Sequence, residues 1–158
     1  MVNLSRVLFS FILFWNFPKF FYYTASRPLY YEDLFIDVED KFFVEKEVLL
    51  ALWGIETNFG KHVGKMDIIS SLATLSYDKR RRDFFSSQLL ILLKLIDDKL
   101  IEPETLYGSW AGAYGNFQFM PSTIKNYAID YDGNSKIELK TSLEDSLASA
   151  ANYINRIG

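Results

Sequence analysis

A single acidic residue closes a long apolar run: Val48-Leu49-Leu50-Ala51-Leu52-Trp53 leads straight into Gly54-Ile55-Glu56-Thr57. Val48, Leu52, Ile55 and Phe59 recur at helical spacing, and Leu49, Trp53 and Glu56 form an adjoining stripe, so the helix is apolar over most of its circumference. Such a helix is expected at the centre of a fold, packed on several sides. The same period recurs along the chain. It predicts helices near 30–42, over Ile68, Ile69, Leu72 and Leu75 to a close near Tyr77, and at roughly 81–100 with Phe84, Phe85, Leu89, Leu92, Leu93, Ile96 and Leu100 as core. A short helix should follow Pro121, and a last one, about 142–157, should turn Leu143, Leu147, Ala150, Ala151 and Ile154 inward. Gly60 and Gly64 are expected to stop the apolar helix. The fold class is all-α, mainly helical, with one domain over 27–158.

The chain has 158 residues, 49% hydrophobic and 17% aromatic, which suffices for one core and argues against disorder. A formal net charge of −3, with no long basic run beyond Lys79-Arg80-Arg81-Arg82, argues against a nucleic-acid partner. The absence of cysteine excludes disulfides, thiol catalysis and thiolate metal sites. His62, the one histidine, excludes a multi-histidine zinc site, argues against a serine–histidine triad and is expected on the surface. What remains is carboxyl chemistry. A carboxylate in an apolar site holds its proton to higher pH, which makes Glu56 a ready general acid. The alternative is that Glu56 ends its helix and reaches water or Lys61.

Residues 1–26 form an apolar segment in which Arg6 precedes Val7-Leu8-Phe9-Ser10-Phe11-Ile12-Leu13-Phe14-Trp15. It reads as a weak signal peptide too short to span a bilayer, or as a sticky lead-in, and it offers a means of membrane association. Further on, Gly108-Ser109-Trp110-Ala111-Gly112-Ala113-Tyr114-Gly115-Asn116-Phe117-Gln118-Phe119-Met120-Pro121-Ser122 mixes glycines with aromatics. Glycines allow close backbone approach to a ligand, and Trp110, Tyr114, Phe117 and Phe119 could offer faces to sugar rings. A tightly packed loop without a ligand is the other reading. Asp130-Tyr131-Asp132-Gly133-Asn134-Ser135-Lys136 places oxygen donors at alternating positions, as an EF-hand does, but Ser135 replaces the usual glycine and Thr141 stands where the bidentate glutamate belongs. Asp145 could substitute a turn later. Weak calcium or sodium binding by Asp130, Asp132, Asn134, the Lys136 carbonyl and Asp145 is one reading; an Asx-rich turn without metal is the other.

Two of these blocks together, Ala51-Leu52-Trp53-Gly54-Ile55-Glu56-Thr57-Asn58-Phe59-Gly60 and the glycine-rich block, resemble the membrane-bound lytic murein transglycosylase B family. Ser71-Leu72-Ala73-Thr74-Leu75-Ser76-Tyr77, Arg81-Arg82 and Tyr127-Ala128-Ile129-Asp130-Tyr131-Asp132-Gly133 extend the resemblance, which runs from about Phe43 to Gly158. It implies a lysozyme-like α-domain with a groove loop and an EF-hand-like loop. It also implies a peptidoglycan lytic transglycosylase that cleaves the MurNAc-GlcNAc bond and leaves 1,6-anhydromuramyl ends, periplasmic or associated with the inner membrane. No second carboxyl is embedded in either block, and the resemblance accounts for this: one glutamate, here Glu56, acts as acid and then base while the substrate's N-acetyl group and 6-hydroxyl replace the nucleophile. By the same resemblance Gln118 would hydrogen-bond the sugar, Ser109 would polarise the acid, and Arg81 and Arg82 would meet peptide-stem carboxylates. No cofactor is required. Members of the family carry further sequence on both sides of the matching part. The expectation is therefore a truncated catalytic domain with incomplete subsites, the alternative being an inactive peptidoglycan-binding or nonfunctional fragment of a split gene.

Overall fold

In the computed structural model, which describes residues 30–158, six α-helices occur among the described residues. They are α1 (Tyr30–Phe42), α2 (Lys46–Thr57), α3 (Ile68–Leu75), α4 (Arg82–Asp97), α5 (Pro121–Tyr127) and α6 (Leu143–Ile157). A short 3-10 turn spans Pro103–Thr105, and two strands, β1 (Met66–Asp67) and β2 (Tyr107–Gly108), pair antiparallel with Met66 opposite Gly108. The mainly α fold expected from the helical period is present, and the helix positions agree with it closely. The apolar segment 1–26 lies outside the described residues.

The centre of the fold is α6 and not α2. Every residue from Asp145 to Ala151 is buried, and the helix packs against α1, α2 and α5. Its small side chains, Ser146, Ala148, Ser149, Ala150 and Ala151, let neighbouring elements approach from all sides. Ser142 starts it by accepting the Asp145 N–H at 3.1 Å, and Glu144 and Asp145 place negative charge in the first turn. By contrast α2 buries only the stripe Leu49, Trp53 and Thr57, while Ile55 is 51% exposed. An apolar circumference fixes that a helix can be buried on any side; it does not choose the side.

Other elements follow from local chemistry. Asp67 caps α3 through the Ser70 N–H at 2.6 Å, and Pro121 occupies the first turn of α5, where its missing N–H costs nothing. On α4 the buried face is Phe85, Gln88, Leu92 and Leu95, whereas Phe84 and Leu93 on the helix and Leu100 beyond its end, all expected inside, are exposed. Gln88 accepts the Ser122 N–H at 2.9 Å and so joins α4 to α5. Asn58 ends α2, in place of the expected glycines: it sits in the left-handed region at φ 50°, and its N–H and that of Phe59 donate to Gly54 O and Trp53 O. The backbone stays left-handed through Phe59 and Gly60, turning the chain toward β1.

The strand pair brings the turn after α2 and the start of the glycine-rich block together at one point. A Cβ on Gly64, whose φ is +88°, would lie 2.1 Å from the backbone carbonyl of Gly108, so only glycine permits this approach. Strands of two residues are too short to leave an alternating pattern, and the sequence reading contains neither.

Candidate active site

Glu56 lies in the last turn of α2 on its exposed flank, so of the two readings the structure shows the one in which the helix end reaches solvent. Partial burial of the carboxyl nevertheless raises its pKa above the ordinary glutamate value, with desolvation as the cause. No hydrogen bond or ion pair reaches Glu56 among the described residues, Lys61 included. The carboxyl is therefore protonated more readily than a surface glutamate and is free to meet a ligand.

The glycine-rich block packs beside this helix end through Asn116. Trp53 Nε1–H donates to Asn116 Oδ1 at 3.1 Å, and the Thr57 hydroxyl donates to Asn116 O at 2.9 Å. Two residues on, Gln118 adopts a left-handed backbone, and its Nε2 donates to Val63 O at 3.2 Å and Gly115 O at 2.9 Å. Both amide hydrogens hold the loop, which leaves Oε1 open as an acceptor among the described residues. Ser109 Oγ accepts the N–H groups of Ala111 and Ala113, at 3.3 and 2.9 Å, so the hydroxyl oxygen caps its own turn and keeps its proton for donation.

The expected aromatic platform reduces to one ring. Trp110 is 69% exposed, but Tyr114 is 3% exposed, and Phe117 and Phe119 are also buried. Tyr114 and Phe119 exchange backbone hydrogen bonds, each 2.9 Å long, which folds the block back on itself, and the Tyr114 hydroxyl donates to Thr105 Oγ1 at 3.0 Å. Tyr114 thus anchors the loop from beneath and has no face to present. Tyr153 of α6 packs edge-on against Phe119 and Tyr127, which fixes the floor further.

Arg81 and Arg82 are exposed, and neither makes a hydrogen bond or ion pair with Glu56, Ser109 or Gln118 among the described residues. The Arg81 guanidinium lies over the rings of Phe84 and Phe85, 4.7 and 4.9 Å from their centroids. Arg80 of the basic cluster pairs with Asp78 at 2.8 Å on the solvent-exposed surface.

Carboxylate oxygens of Asp130, Asp132 and Asp145 all lie within 4.8 Å of one another. One cation with oxygen ligands at about 2.3–2.6 Å spans that separation, so these three fit a hard cation. Asp145 is fully buried, and burial raises its pKa, while backbone N–H groups of Tyr131 at 2.8 Å and Glu138 at 2.9 Å pull the other way. Asp130 accepts backbone N–H groups from Gly133, Asn134 and Ser135, and Asn134 Oδ1 accepts the Lys136 N–H at 2.8 Å. The loop is therefore shaped by Asx turns whether or not it holds an ion. The side chain of Lys136 pairs with Glu102 at 3.3 Å, and Tyr131 ties the loop to α1 by donating its hydroxyl to Asp37.

With the geometry in place, comparison with known proteins locates the chain among its relatives. Residues 27–158 match the family described as the transglycosylase SLT domain. The chain belongs to the SLT transglycosylase family. It is 39% identical over 129 residues to membrane-bound lytic murein transglycosylase B of Escherichia coli K12, a match covering 81% of this chain and 36% of that protein. SltB3 of Pseudomonas aeruginosa, solved in complex with NAG-anhNAM-pentapeptide, superposes with a TM-score of 0.76 at 41% identity, covering 79% of this chain and 33% of that one. The Escherichia coli lytic transglycosylase Slt35, solved in complex with calcium, gives 0.76 at 34% identity over 99% of this chain and 46% of that one. This SLT domain thus spans about a third to a half of the length of the relatives it matches. No described helix is long and apolar enough to cross a membrane.

Proposed function

We propose that this SLT domain is a peptidoglycan lytic transglycosylase in which Glu56 is the catalytic acid and base. The observation that carries the reading is a carboxyl with a raised pKa and no hydrogen-bond partner among the described residues, on a helix end that Asn116 ties to a glycine-rich loop carrying the exposed Trp110 and the half-buried Gln118. Glu56 donates its proton to the bridging oxygen of the MurNAc-GlcNAc bond as the bond from the muramyl C1 breaks. Charge at C1 is met by the substrate's own N-acetyl group, and the 6-hydroxyl oxygen then closes on C1 and returns its proton to Glu56. The proton balance is complete, no water is consumed, and the product carries a 1,6-anhydro end. Gln118 Oε1 accepts an N–H of the sugar, and the Ser109 hydroxyl is the donor nearest in role to the acid. Arg81 and Arg82 supply cations for stem-peptide carboxylates. Catalysis takes no cofactor. The place of action is periplasmic, where the glycan strands are, with association with the inner membrane through the apolar N-terminal segment; one relative is named as membrane-bound.

The test is mass spectrometry of muropeptides released from purified peptidoglycan. Anhydro ends from the wild-type chain and none from Glu56→Gln support the reading. Strand binding without release identifies a binding domain in its place.

Glu56 acts only when protonated, and its pKa is raised. The protonated form is complete below that pKa and lost as pH rises through it. Turnover therefore holds on the acidic side and declines on an alkaline limb whose midpoint exceeds the ordinary glutamate value. A pH profile without a descending limb contradicts the assignment. Trp110→Ala should raise KM about tenfold, the equivalent of about 1.4 kcal/mol of lost binding, with kcat and melting temperature unchanged, because the ring is exposed. Initial rates on soluble glycan strands check this.

The acidic loop is proposed to hold calcium, or more weakly sodium, through Asp130, Asp132 and Asp145, with Asn134 and the Lys136 carbonyl completing the shell. The ion would neutralise the clustered carboxylates and stiffen the loop. Millimolar calcium should raise the melting temperature of the wild type and not of Asp130→Asn; sodium in its place should raise it less. A melting temperature indifferent to both ions removes the metal from the proposal.

A further inference from the structure

We propose that Asn116 is the positioning residue that sets the aim of Glu56 relative to Gln118, an inference that rests on Glu56 being the acid. Glu56 has no partner of its own among the described residues, so its direction is decided by the rotation and depth of the last turn of α2. Trp53 and Thr57 flank it in that turn, and both are tied to the same residue. The Trp53 indole N–H donates to Asn116 Oδ1 at 3.1 Å, and the Thr57 hydroxyl donates to Asn116 O at 2.9 Å. On the opposite side Asn116 Nδ2 faces Leu139 O and Lys140 O, each at 3.3 Å, and Ser146 Oγ at 3.1 Å, while its backbone N–H donates to Leu139 O at 2.8 Å. One residue therefore clamps the acid's helix to the segment leading into α6 and to α6 itself.

The chemistry of the clamp is specific to an amide. An indole N–H can only donate and a carbonyl can only accept, so the orientation of the Asn116 amide is forced at both ends. Aspartate would aim a carboxylate oxygen at two carbonyls, and alanine would leave the buried Trp53 N–H without this acceptor. Gly60 completes the enclosure: a Cβ there would stand 2.8 Å from Asn116 Oδ1, and the Gly60 N–H donates to Thr57 Oγ1 at 3.0 Å. Asn116 also lies two residues before Gln118 in the same tight loop, so displacement of Asn116 moves both groups proposed to meet the sugar. Misplacement of a reacting group by about 1 Å costs on the order of a hundredfold in rate without weakening binding in proportion.

The experiment measures kcat and KM on soluble glycan strands for the full chain carrying Asn116→Ala, Thr57→Val or Thr57→Ser, with Glu56→Gln and Ile124→Val as controls. The expected result is that Asn116→Ala and Thr57→Val lower kcat about tenfold or more at nearly constant KM. Thr57→Ser, which keeps the hydroxyl bridge, retains kcat. Ile124→Val, a core truncation away from the clamp, loses comparable melting temperature and also retains kcat. Should Asn116→Ala fail to fold, the Thr57 pair decides alone. Unchanged kcat in folded Thr57→Val, with Glu56→Gln still silent, overturns the positioning role and leaves the acid assignment standing. An equal fall in kcat for Ile124→Val also overturns it, since general destabilisation then accounts for the loss. Absence of anhydro ends from the wild type overturns the acid reading and this one with it.

Discussion

Glu56→Gln eliminates anhydro-end formation while the melting temperature stays within a degree or so of the wild type. The amide keeps the volume and the hydrogen-bonding outline of the side chain but has no proton to give. A single general acid step contributes about 10²–10⁴ in rate, and here the same group acts twice, once to expel the leaving oxygen and once to accept the 6-hydroxyl proton. A loss at or beyond the upper end of that range is expected. Stability is spared because Glu56 is exposed and makes no hydrogen bond among the described residues, so removal of its charge leaves nothing orphaned. Residual activity above about one hundredth of wild type, the lower bound of a general-acid contribution, would falsify the assignment.

The largest expected effect on stability is at Asp145. Its carboxylate is fully buried and accepts backbone N–H groups from Tyr131 at 2.8 Å and Glu138 at 2.9 Å, with Asp132 at 3.5 Å more weakly held. Asp145→Ala removes all three acceptor contacts at once. Tyr131 and Glu138 are half-buried and Asp132 is exposed, so each donor left without a partner costs toward the low end of about 1–3 kcal/mol, and a total loss of about 3–5 kcal/mol is expected. That is a large part of the margin of a small domain, about 5–15 kcal/mol. Urea denaturation monitored by circular dichroism should show the midpoint falling by about a third or more. Asp145→Asn, which keeps one oxygen acceptor, should lose less. A loss below about 1 kcal/mol for the alanine variant would mean that water replaces the carboxylate without penalty.

Helix positions were legible in the chain because each amphipathic helix repeats its apolar residues over several turns. Which flank each helix buries was less so. The residues of α2 from Val48 to Trp53 are apolar nearly all round and say only that burial is tolerated, whereas α6 carries serines, alanines and an aspartate and reads as half-polar. Its burial depends on partners far away in sequence: Ser146 on Leu139 and Asn116, Ser149 on Ile129, Asp145 on Tyr131. The carboxyl proposed as the acid and the glycine-rich loop beside its helix stand out in composition and motif. Tyr114 was misread because an aromatic among glycines signals either a platform or a packed anchor, and only the pairing with Phe119 distinguishes them. Asn116 is one amide among glycines and aromatics, and nothing beside it marks a role. Its signal was present, an amide between Gly115 and Phe117 in a stretch otherwise too apolar for solvent, but no local pattern names its partner 63 positions away in Trp53.

That the core is organised around α6 also governs how the chain folds. Helices α1 and α2 precede the other described helices in the chain, and the helix that their apolar faces must cover begins only at Leu143. Until the chain has closed the roughly 100 residues that separate α1 from α6, the apolar faces of α1 and α2 that pack on α6 stay uncovered. A chain that has yet to bring Leu143–Ile157 into place is therefore a natural client for chaperones, and truncation before Leu143 should abolish the folded state, read as loss of cooperative melting.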